Sequence, residues 1–432
     1  MQGPQKREKP RRIARIQVIA VAILAVSGVI NYVDRGSLAI ANTTIRGELG
    51  MSATRMGVLL SVFSMAYAVS QLPVGILLDK FGERLVMGAG MLLWSVTQVL
   101  TGSVRGFASF FAARVGLAVG EAPFVISSVK VVHDWFDVRE RATPMAVINA
   151  STTLGQAVAP PILTGIMLAF GWRGMFMAIG VPGVVLALVW FGCYRDRKVA
   201  VVSEVERAYL AGSDREGSSE SRKGPGVSLR QWLGLFRQRT MWGMMLGFGG
   251  INYTVWLYMS WMPNYLQAEH HLTLAATGMF AVIPFSCGAV GMMASGVIAD
   301  WLVRRGVDPV RSYRTLLVMG LTCSGLCTLL VQHLTGATGA ALGMGMALFF
   351  TYLAGNAGWC LVQALAPAGV VGSVAAIQNF GSFVCASFAP VVTGWLLDRT
   401  HSFHLALVIC AMVSVLGAAS YLVVVREPIR VG

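Results

Sequence analysis

Charged residues are scarce in this sequence of 432 residues. Asp, Glu, Lys and Arg together make up 12% of it, whereas a soluble domain carries about 25%. A chain of this length with so little charge cannot give several soluble domains hydrated surfaces. Aqueous enzymes, nucleic-acid-binding proteins and disordered scaffolds are therefore disfavoured. Acidic residues are the scarcest, at 20 against 34 basic residues, and the formal net charge is +14.

Paired metal-binding and redox motifs are also missing. The seven cysteines lie almost entirely inside apolar runs, and the two nearest each other, Cys323 and Cys327, do not form a C-x-x-C motif. No Ser/His/Asp, His/Glu or phosphate-loop motif lies in those runs. We therefore predict structural thiols, no metal site and no enzymatic activity, and we expect no cofactor other than a coupling ion.

Long apolar runs, in contrast, are abundant. The sequence is 55% hydrophobic with a mean hydropathy of +0.65, and a helix needs about 20 mostly apolar residues to cross a bilayer. The first run is long and contains Asp34 and Arg35, which is not the pattern of a cleaved signal peptide. The prediction is an all-α integral membrane protein with 12 transmembrane helices, at 16–40, 54–78, 84–104, 107–131, 143–169, 174–194, 240–266, 274–301, 313–334, 337–363, 371–397 and 403–425.

The basic residues lie mostly on one side of these predicted spans. The N-terminus, the turns after spans two, four and eight, the segment 195–239 and the C-terminal tail hold most of them. Cytoplasmic loops of membrane proteins carry an excess of Lys and Arg. We predict a multi-pass protein of the inner (plasma) membrane with both termini cytoplasmic, acting as a monomer. The bilayer then explains the net charge without a nucleic acid, and the opposite loops hold only Arg46, Arg55, Arg105, Arg173 and Arg399.

Two features recur in both halves of the chain. The run GILLDKFGER at 75–84 follows span two, and GVIAD at 296–300 follows span eight. Asn149 precedes Pro160 by the same distance as Asn379 precedes Pro390. Secondary transporters build alternating access from repeats around a central path. The predicted organisation is a six-helix half at 1–194, a cytoplasmic linker at 195–239 and a second six-helix half at 240–432.

These motifs carry a family resemblance. The run 75–84 resembles the G-x-x-x-D-[KR]-x-G-x-R turn of the major facilitator superfamily. Within that superfamily, NYVDR at 31–35 and the R-x6-E-A-P motif at 114–123 resemble the anion:cation symporter family. That family includes bacterial importers of galactonate, glucarate and hexuronate. The resemblance covers essentially the whole chain and implies proton-coupled symport of a small organic anion.

Four charged residues lie inside predicted spans: Asp34, Arg35, Arg114 and Glu121. A charge at the centre of a membrane helix costs about 2.5–3.5 kcal/mol, so four of them indicate a function. Arginine matches a carboxylate with its planar fork, and a buried acid can exchange a proton. The resemblance implies that Asp34 and Glu121 couple protons and that Arg35 and Arg114 serve coupling and anion recognition. We expect Glu121 to hold Arg114 in the empty site; the alternative is a purely structural ion-pair network.

Polar and aromatic residues of other spans complete the predicted pocket. The resemblance implies substrate contacts for Tyr32, Tyr67, Asn356, Trp359 and Asn379, with helix packing, an aromatic belt or interhelical hydrogen bonds as alternatives. Sugar-acid importers often have glutamine at the place of Thr152 here. Gln156 lies one turn further along the same face and can serve the same space. Smaller dicarboxylates or aromatic acids therefore remain open as substrates.

The repeated turn predicts a gate. Asp79 and Arg84, with Asp300 in the second repeat, suit a charge latch between helices on the cytoplasmic side that breaks when the protein opens inward. The alternative is a passive anchor at the membrane surface.

Three functions are compatible with these patterns. The sequence favours a proton-coupled importer of a sugar acid or related carboxylate. An exporter of metabolites or drugs on the same fold is the second, although two arginines in the pocket disfavour cationic drugs. A membrane-embedded sensor or enzyme is the third, and no signalling domain or catalytic motif supports it.

Overall fold

The computed structural model describes residues 10–136, 140–197, 203, 234–367, 370–425 and 429. Within them the chain is helical and contains no strand. The predicted linker at 195–239 lies mostly outside the described residues. The helices are α1 Arg11–Ile40, α2 Asn42–Leu49, α3 Ala53–Thr101, α4 Phe107–Glu121, α5 Pro123–Trp135, α6 Ala142–Cys193, α7 Arg239–His270, α8 Leu274–Phe280, α9 Val282–Arg304, α10 Pro309–Val331, α11 Ala337–Leu365, α12 Val371–Thr400 and α13 His404–Val423.

Two of these helices are each long enough for two spans. A straight helix of the 49 residues of α3 would be about 74 Å long, more than twice the hydrocarbon thickness of about 30 Å. Gly82 (φ 80°) interrupts α3 and Gly171 (φ 69°) interrupts α6. Glycine adopts these positive φ angles without a steric penalty. Each glycine therefore separates two consecutive spans.

Other spans are continuous across short irregularities. The backbone of Ala122 is helical (φ −54°, ψ −36°), and Pro123 stands at the first position of α5, where its missing N–H is harmless. Thus α4 and α5 form one span, as α8 and α9 do. Among the described residues, nine segments are long and apolar enough to cross a membrane. The two divided segments and the more aromatic α7 bring the total to the twelve predicted spans.

The exterior of the bundle is apolar. Phe170, Ile76 and Met293 are each more than two-thirds exposed, whereas Trp94 and Trp190 are fully buried. Apolar residues that face outward all around a helix indicate a lipid environment. The predicted fold class is confirmed.

The helices pack as an N-terminal group, α1–α6, and a C-terminal group, α7–α13. In the first, α1 packs on α6, and α3 packs on α4 and α6; in the second, α7 packs on α12 and α13, and α11 packs on α9 and α10. The groups meet where α3 contacts α12, α6 contacts α8 and α9, and α1 contacts α7. We call the end of the bundle at which α1 begins the inner end and the opposite end the outer end. The domain division at 195–239 stays a prediction.

Candidate functional site

The four charged residues predicted inside spans are all buried. Asp34 and Glu121 have no exposed surface, and Arg114 and Arg35 are 3% and 8% exposed. Asp34 and Arg35 lie on the outer part of α1, whereas Arg114 and Glu121 lie two helical turns apart on α4. Packing of the N-terminal group brings both pairs together in its interior.

Arg35 is the partner of Glu121. Its Nε donates to Oε2 of Glu121 over 2.7 Å, and its guanidinium carbon lies 4.7–5.2 Å from the ring centroids of Tyr32, Phe63 and Tyr67. Aromatic faces attract a cation by about 0.5–2 kcal/mol each, so these rings stabilise a charge removed from water. The expectation that Glu121 holds Arg114 was wrong for this structure, because the carboxylate of Glu121 is engaged by α1.

Several polar atoms of this buried cluster have no close hydrogen-bond partner among the residues that the structure describes. The buried Nε and Nη2 atoms of Arg114 lack a partner, as do both carboxylate oxygens of Asp34 and both amide atoms of Asn31. An unpaired buried polar group costs about 1–3 kcal/mol, and more when charged. Groups of this kind need an explanation such as a bound ligand, water or proton. The arrangement is chemically competent to take up an anion on Arg114 and a proton on Asp34.

Two hydrogen bonds join the helix groups at the centre of the bundle. Tyr352 on α11 donates from its hydroxyl to Oε1 of Gln156 on α6 over 2.6 Å. Asn379 on α12 donates to Oε1 of Gln71 on α3 over 3.2 Å. The structure therefore brings the predicted residues Gln156 and Asn379 to the interface between the groups.

The remaining predicted pocket residues are distributed differently. The ring centroid of Tyr67 lies 5.2 Å from that of Phe383 on α12, which places Tyr67 at the same interface. The hydroxyl of Thr152 donates to the carbonyl of Asn149 in its own helix over 2.7 Å. Further toward the inner end, Asn356 is partly buried, and Trp359 is 39% exposed with its ring edge-to-face on Phe248.

Tyr352 was missed by the sequence analysis. It lies one helical turn before Asn356 on the largely apolar α11, and this spacing on one face is the signal that could have identified it.

Comparison with known proteins identifies the family. The sequence profile of the Major Facilitator Superfamily matches residues 24–390. The chain belongs to the major facilitator superfamily. It is 49% identical over 423 residues to the probable L-galactonate transporter of Escherichia coli K12, covering 98% of this chain and 92% of that protein. It is 30% identical to the probable galactarate/D-glucarate transporter of the same organism, covering 97% of each, and 28% identical to the hexuronate transporter of Bacillus subtilis 168, covering 94% of each.

Solved structures show the same fold. A bacterial homologue of the human lysosomal transporter Spinster, in an inward-facing and unoccupied conformation, superposes with a TM-score of 0.79 at 16% identity, covering 95% of this chain and 97% of that one. A D-xylose–proton symporter superposes with a TM-score of 0.73 at 15% identity, covering 95% and 98%. The family match and the transporters among its relatives make this major facilitator protein a multi-pass membrane transporter and not an enzyme, as the sequence predicted.

The outer end of this major facilitator transporter is closed by a carboxylate. Asp398, at the end of α12, accepts hydrogen bonds from the backbone N–H groups of Ala53 (2.8 Å) and Thr54 (2.7 Å), and from the Thr54 hydroxyl (2.5 Å). These groups are at the N-terminus of α3, where backbone N–H groups have no partner within the helix. Asp398 therefore joins the C-terminal group to the N-terminal group.

Close packing supports this closure. A Cβ atom on Gly57 would lie 2.4 Å from the carbonyl oxygen of Pro390, and one on Gly394 would lie 2.3 Å from that of Ala53. Asn264 also donates to the Thr43 hydroxyl over 3.0 Å. The outer ends of α3 and α12 can approach this closely only because both positions are glycine.

Glu48 forms a separate cluster on the outer surface. It accepts a hydrogen bond from the indole of Trp172 over 2.5 Å and forms an ion pair with Arg173. The hydrogen bond from the Trp172 indole, and after it the one from Arg173, holds the pKa of the Glu48 carboxyl below its usual value. The cluster ties the short helix α2 to the turn that divides α6.

The predicted gate residues lie at the inner end. Asp79 is exposed and accepts a bond from Lys130 on α5 over 3.0 Å; Lys130 also contacts Glu83 at 3.0 Å. Arg84 does not join this cluster: its backbone N–H donates to Asp196 over 2.8 Å and its guanidinium to the carbonyl of Phe191 over 2.5 Å. Asp300 on α9 is exposed.

Proposed function

We propose that this transporter imports a sugar acid together with protons. The observation that carries the proposal is Arg114, a buried guanidinium with two unpartnered nitrogens beside two buried carboxyl groups. A planar guanidinium pairs with carboxylate through two parallel hydrogen bonds. The substrate carboxylate would supply the partner that Arg114 lacks, which supports an organic anion over a neutral sugar.

The hydroxyl groups of a sugar acid would meet the polar side chains at the group interface. Gln156 and Asn379 present amides there, and Tyr32 and Tyr67 flank Arg35. The relatives are named as transporters of L-galactonate, galactarate, D-glucarate and hexuronate. All of these substrates combine a carboxylate with several hydroxyls, which supports L-galactonate as the first candidate here.

Proton coupling is assigned to Asp34 and Glu121. An anion entering against an inside-negative potential is opposed by about 2.3 kcal/mol per charge per 100 mV. One proton cancels this opposition for a monoanion, and two make the loaded carrier cationic. Asp34 has no exposed surface and lies in the same buried cluster as Arg114 and Glu121, so it would take up a proton when the site is loaded. Glu121 is held by Arg35 and would release its proton when that pair forms.

The remaining parts of the proposal concern orientation and gating. Both termini would be cytoplasmic, as the positions of the basic residues indicate, and the protein would act as a monomer with protons as its only cofactor. Asp79, Arg84 and Asp300 would belong to the inner gate. Asp79 is exposed and pairs with Lys130 of α5, so the latch would act through this charge cluster at the inner end.

Uptake of labelled L-galactonate into proteoliposomes, with and without a pH gradient, tests the proposal. Asp34→Asn and Glu121→Gln should each abolish gradient-driven accumulation. At least one should still exchange substrate, because a neutral amide resembles the protonated acid. Asp308→Asn, which changes an acid at the inner end of α10, is the matched control and should accumulate substrate normally. Accumulation by both mutants would show that neither acid couples protons.

A further inference from the structure

Gln156 differs from the other polar side chains of its helix segment. The hydroxyls of Ser151, Thr152 and Thr153 each donate to a carbonyl of α6 itself, over 2.6, 2.7 and 3.3 Å. Their donors are therefore consumed locally. Gln156 instead bonds across the group interface, to Tyr352. Its amide is therefore directed to the interface between the groups and not back to its own helix.

The ring of Tyr352 occupies a defined seat. A Cβ atom on Gly288 of α9 would lie 2.6 Å from this ring, so the missing side chain of Gly288 makes room for it. On the other side of the bond, a Cβ atom on Gly155 would lie 3.1 Å from Cβ of Tyr32. This close approach of α6 to α1 places Gln156 next to Tyr32, and Tyr32 in turn flanks Arg35.

The bond also determines which end of the amide is free. Because the Tyr352 hydroxyl donates to Oε1, the carbonyl end of Gln156 is engaged. An amide NH₂ group carries two donors and no acceptor. With Oε1 already accepting from Tyr352, the NH₂ group is the end that presents both of its donors to a substrate.

We propose that Tyr352 is a positioning residue that fixes the Gln156 amide, so that its NH₂ group donates to one hydroxyl oxygen of the substrate. The inference rests on the proposed function and deepens it by naming what selects a hydroxylated carboxylate. Without Tyr352 the amide can rotate, and its carbonyl and NH₂ ends become interchangeable toward the substrate. A substrate that lacks the recognised hydroxyl leaves a donor unpaired, which is how a polar site rejects a deoxy analogue.

Binding of L-galactonate and of its monodeoxy analogues to the purified full-length transporter, measured by calorimetry, tests this inference. In the wild type, one analogue should bind more weakly than the parent by roughly 2- to 12-fold, the range for one neutral hydrogen bond. In Tyr352→Phe and in Gln156→Leu the same analogue should bind as well as the parent. The double variant should also bind the analogue as well as the parent. Its loss of discrimination should equal that of either single variant, because the two residues act as one unit.

Matched variants separate positioning from general damage. Tyr258→Phe removes another buried hydroxyl, which donates to Thr328 over 3.0 Å within the C-terminal group; it should keep the full discrimination. Gln156→Asn shortens the amide by one methylene and serves if the leucine variant does not fold.

The outcomes are distinct. Full discrimination in Tyr352→Phe would overturn the positioning role, and full discrimination in both Gln156 variants would remove Gln156 from hydroxyl recognition. Failure of the wild type to bind any sugar acid would instead refute the proposed function.

Discussion

The Asp398 closure offers a direct test of how this transporter holds its outer end shut. Ser52 caps α3 locally by accepting a bond from the N–H of Arg55 over 3.2 Å. Asp398 accepts from the two preceding N–H groups, those of Ala53 and Thr54. These bonds cannot persist when the outer ends separate. Asp398→Ala should therefore favour opening toward the outer side.

The size of the effect follows from the bonds that are lost. A hydrogen bond to a charged group contributes about 1.5–3 kcal/mol, and replacing a capping side chain by alanine costs about 0.5–2 kcal/mol. Asp398 is partly exposed, so water will replace some of the lost interactions. We take about 2 kcal/mol for the set, which corresponds to a change of roughly 30-fold in the ratio of outer-closed to outer-open molecules.

Distance measurements between spin labels can detect this change. Thr44 and Ala275 are exposed residues at the outer ends of the two groups, and labels can be attached there after the seven native cysteines have been replaced. Asp398→Ala should enlarge the long-distance population. Asp398→Asn, which keeps one carbonyl acceptor, should give a smaller shift.

The control is another aspartate that caps a helix. Asp308 accepts from the N–H of Arg311 over 3.0 Å at the start of α10, within one group. Asp308→Ala removes a cap of the same chemistry without touching the interface. If both alanine variants leave the distances as in the wild type, or shift them equally, the reasoning about Asp398 is refuted.

Three further predictions concern other parts of the chain. Arg114→Lys keeps the charge but loses the fork, so substrate affinity measured by calorimetry should fall by about tenfold or more; unchanged affinity would remove Arg114 from the site. Glu48→Gln should lower the unfolding temperature at pH 7 and lessen the decline of that temperature in acid. The reason is that a carboxyl with a lowered pKa stabilises the fold above the ordinary glutamate pKa of about 4.3 and ceases to do so as the pH falls through its own pKa. Identical pH profiles of the variant and the wild type would contradict this. Single cysteines at Ser218 and Ser402 should label oppositely with a membrane-impermeant reagent, and labelling of Ser218→Cys from outside intact cells would overturn the predicted topology.

The sequence by itself determined the fold. In a bilayer every backbone polar group must be satisfied within its own segment, so composition along the chain locates each span without knowledge of its neighbours. The glycines that divide α3 and α6 lie between apolar runs that are already separate in the sequence. The four intramembrane charges were equally evident, because an ionisable residue is conspicuous among apolar ones.

Tertiary structure alone decided which of these charges pair. Arg35 and Arg114 are both arginines near Glu121, and sequence spacing favoured Arg114 because it shares a helix with Glu121. The packing of α1 against the rest of its group instead aims Arg35 at the carboxylate over 2.7 Å. Spacing along one helix reports which residues share a face, but it does not report which neighbouring helix supplies a nearer partner.

Neither the Asp398 closure nor the pairing of Tyr352 with Gln156 could be predicted from the sequence, and the reason is the same. Asp398 is one acid at a helix end, and its partner Ala53 lies 345 residues away along the chain. Tyr352 is one aromatic residue in an apolar helix, 196 residues from Gln156. Each gains its role only where helices of the two groups meet, because a hydrogen bond requires two atoms about 3 Å apart and no local pattern encodes that distance.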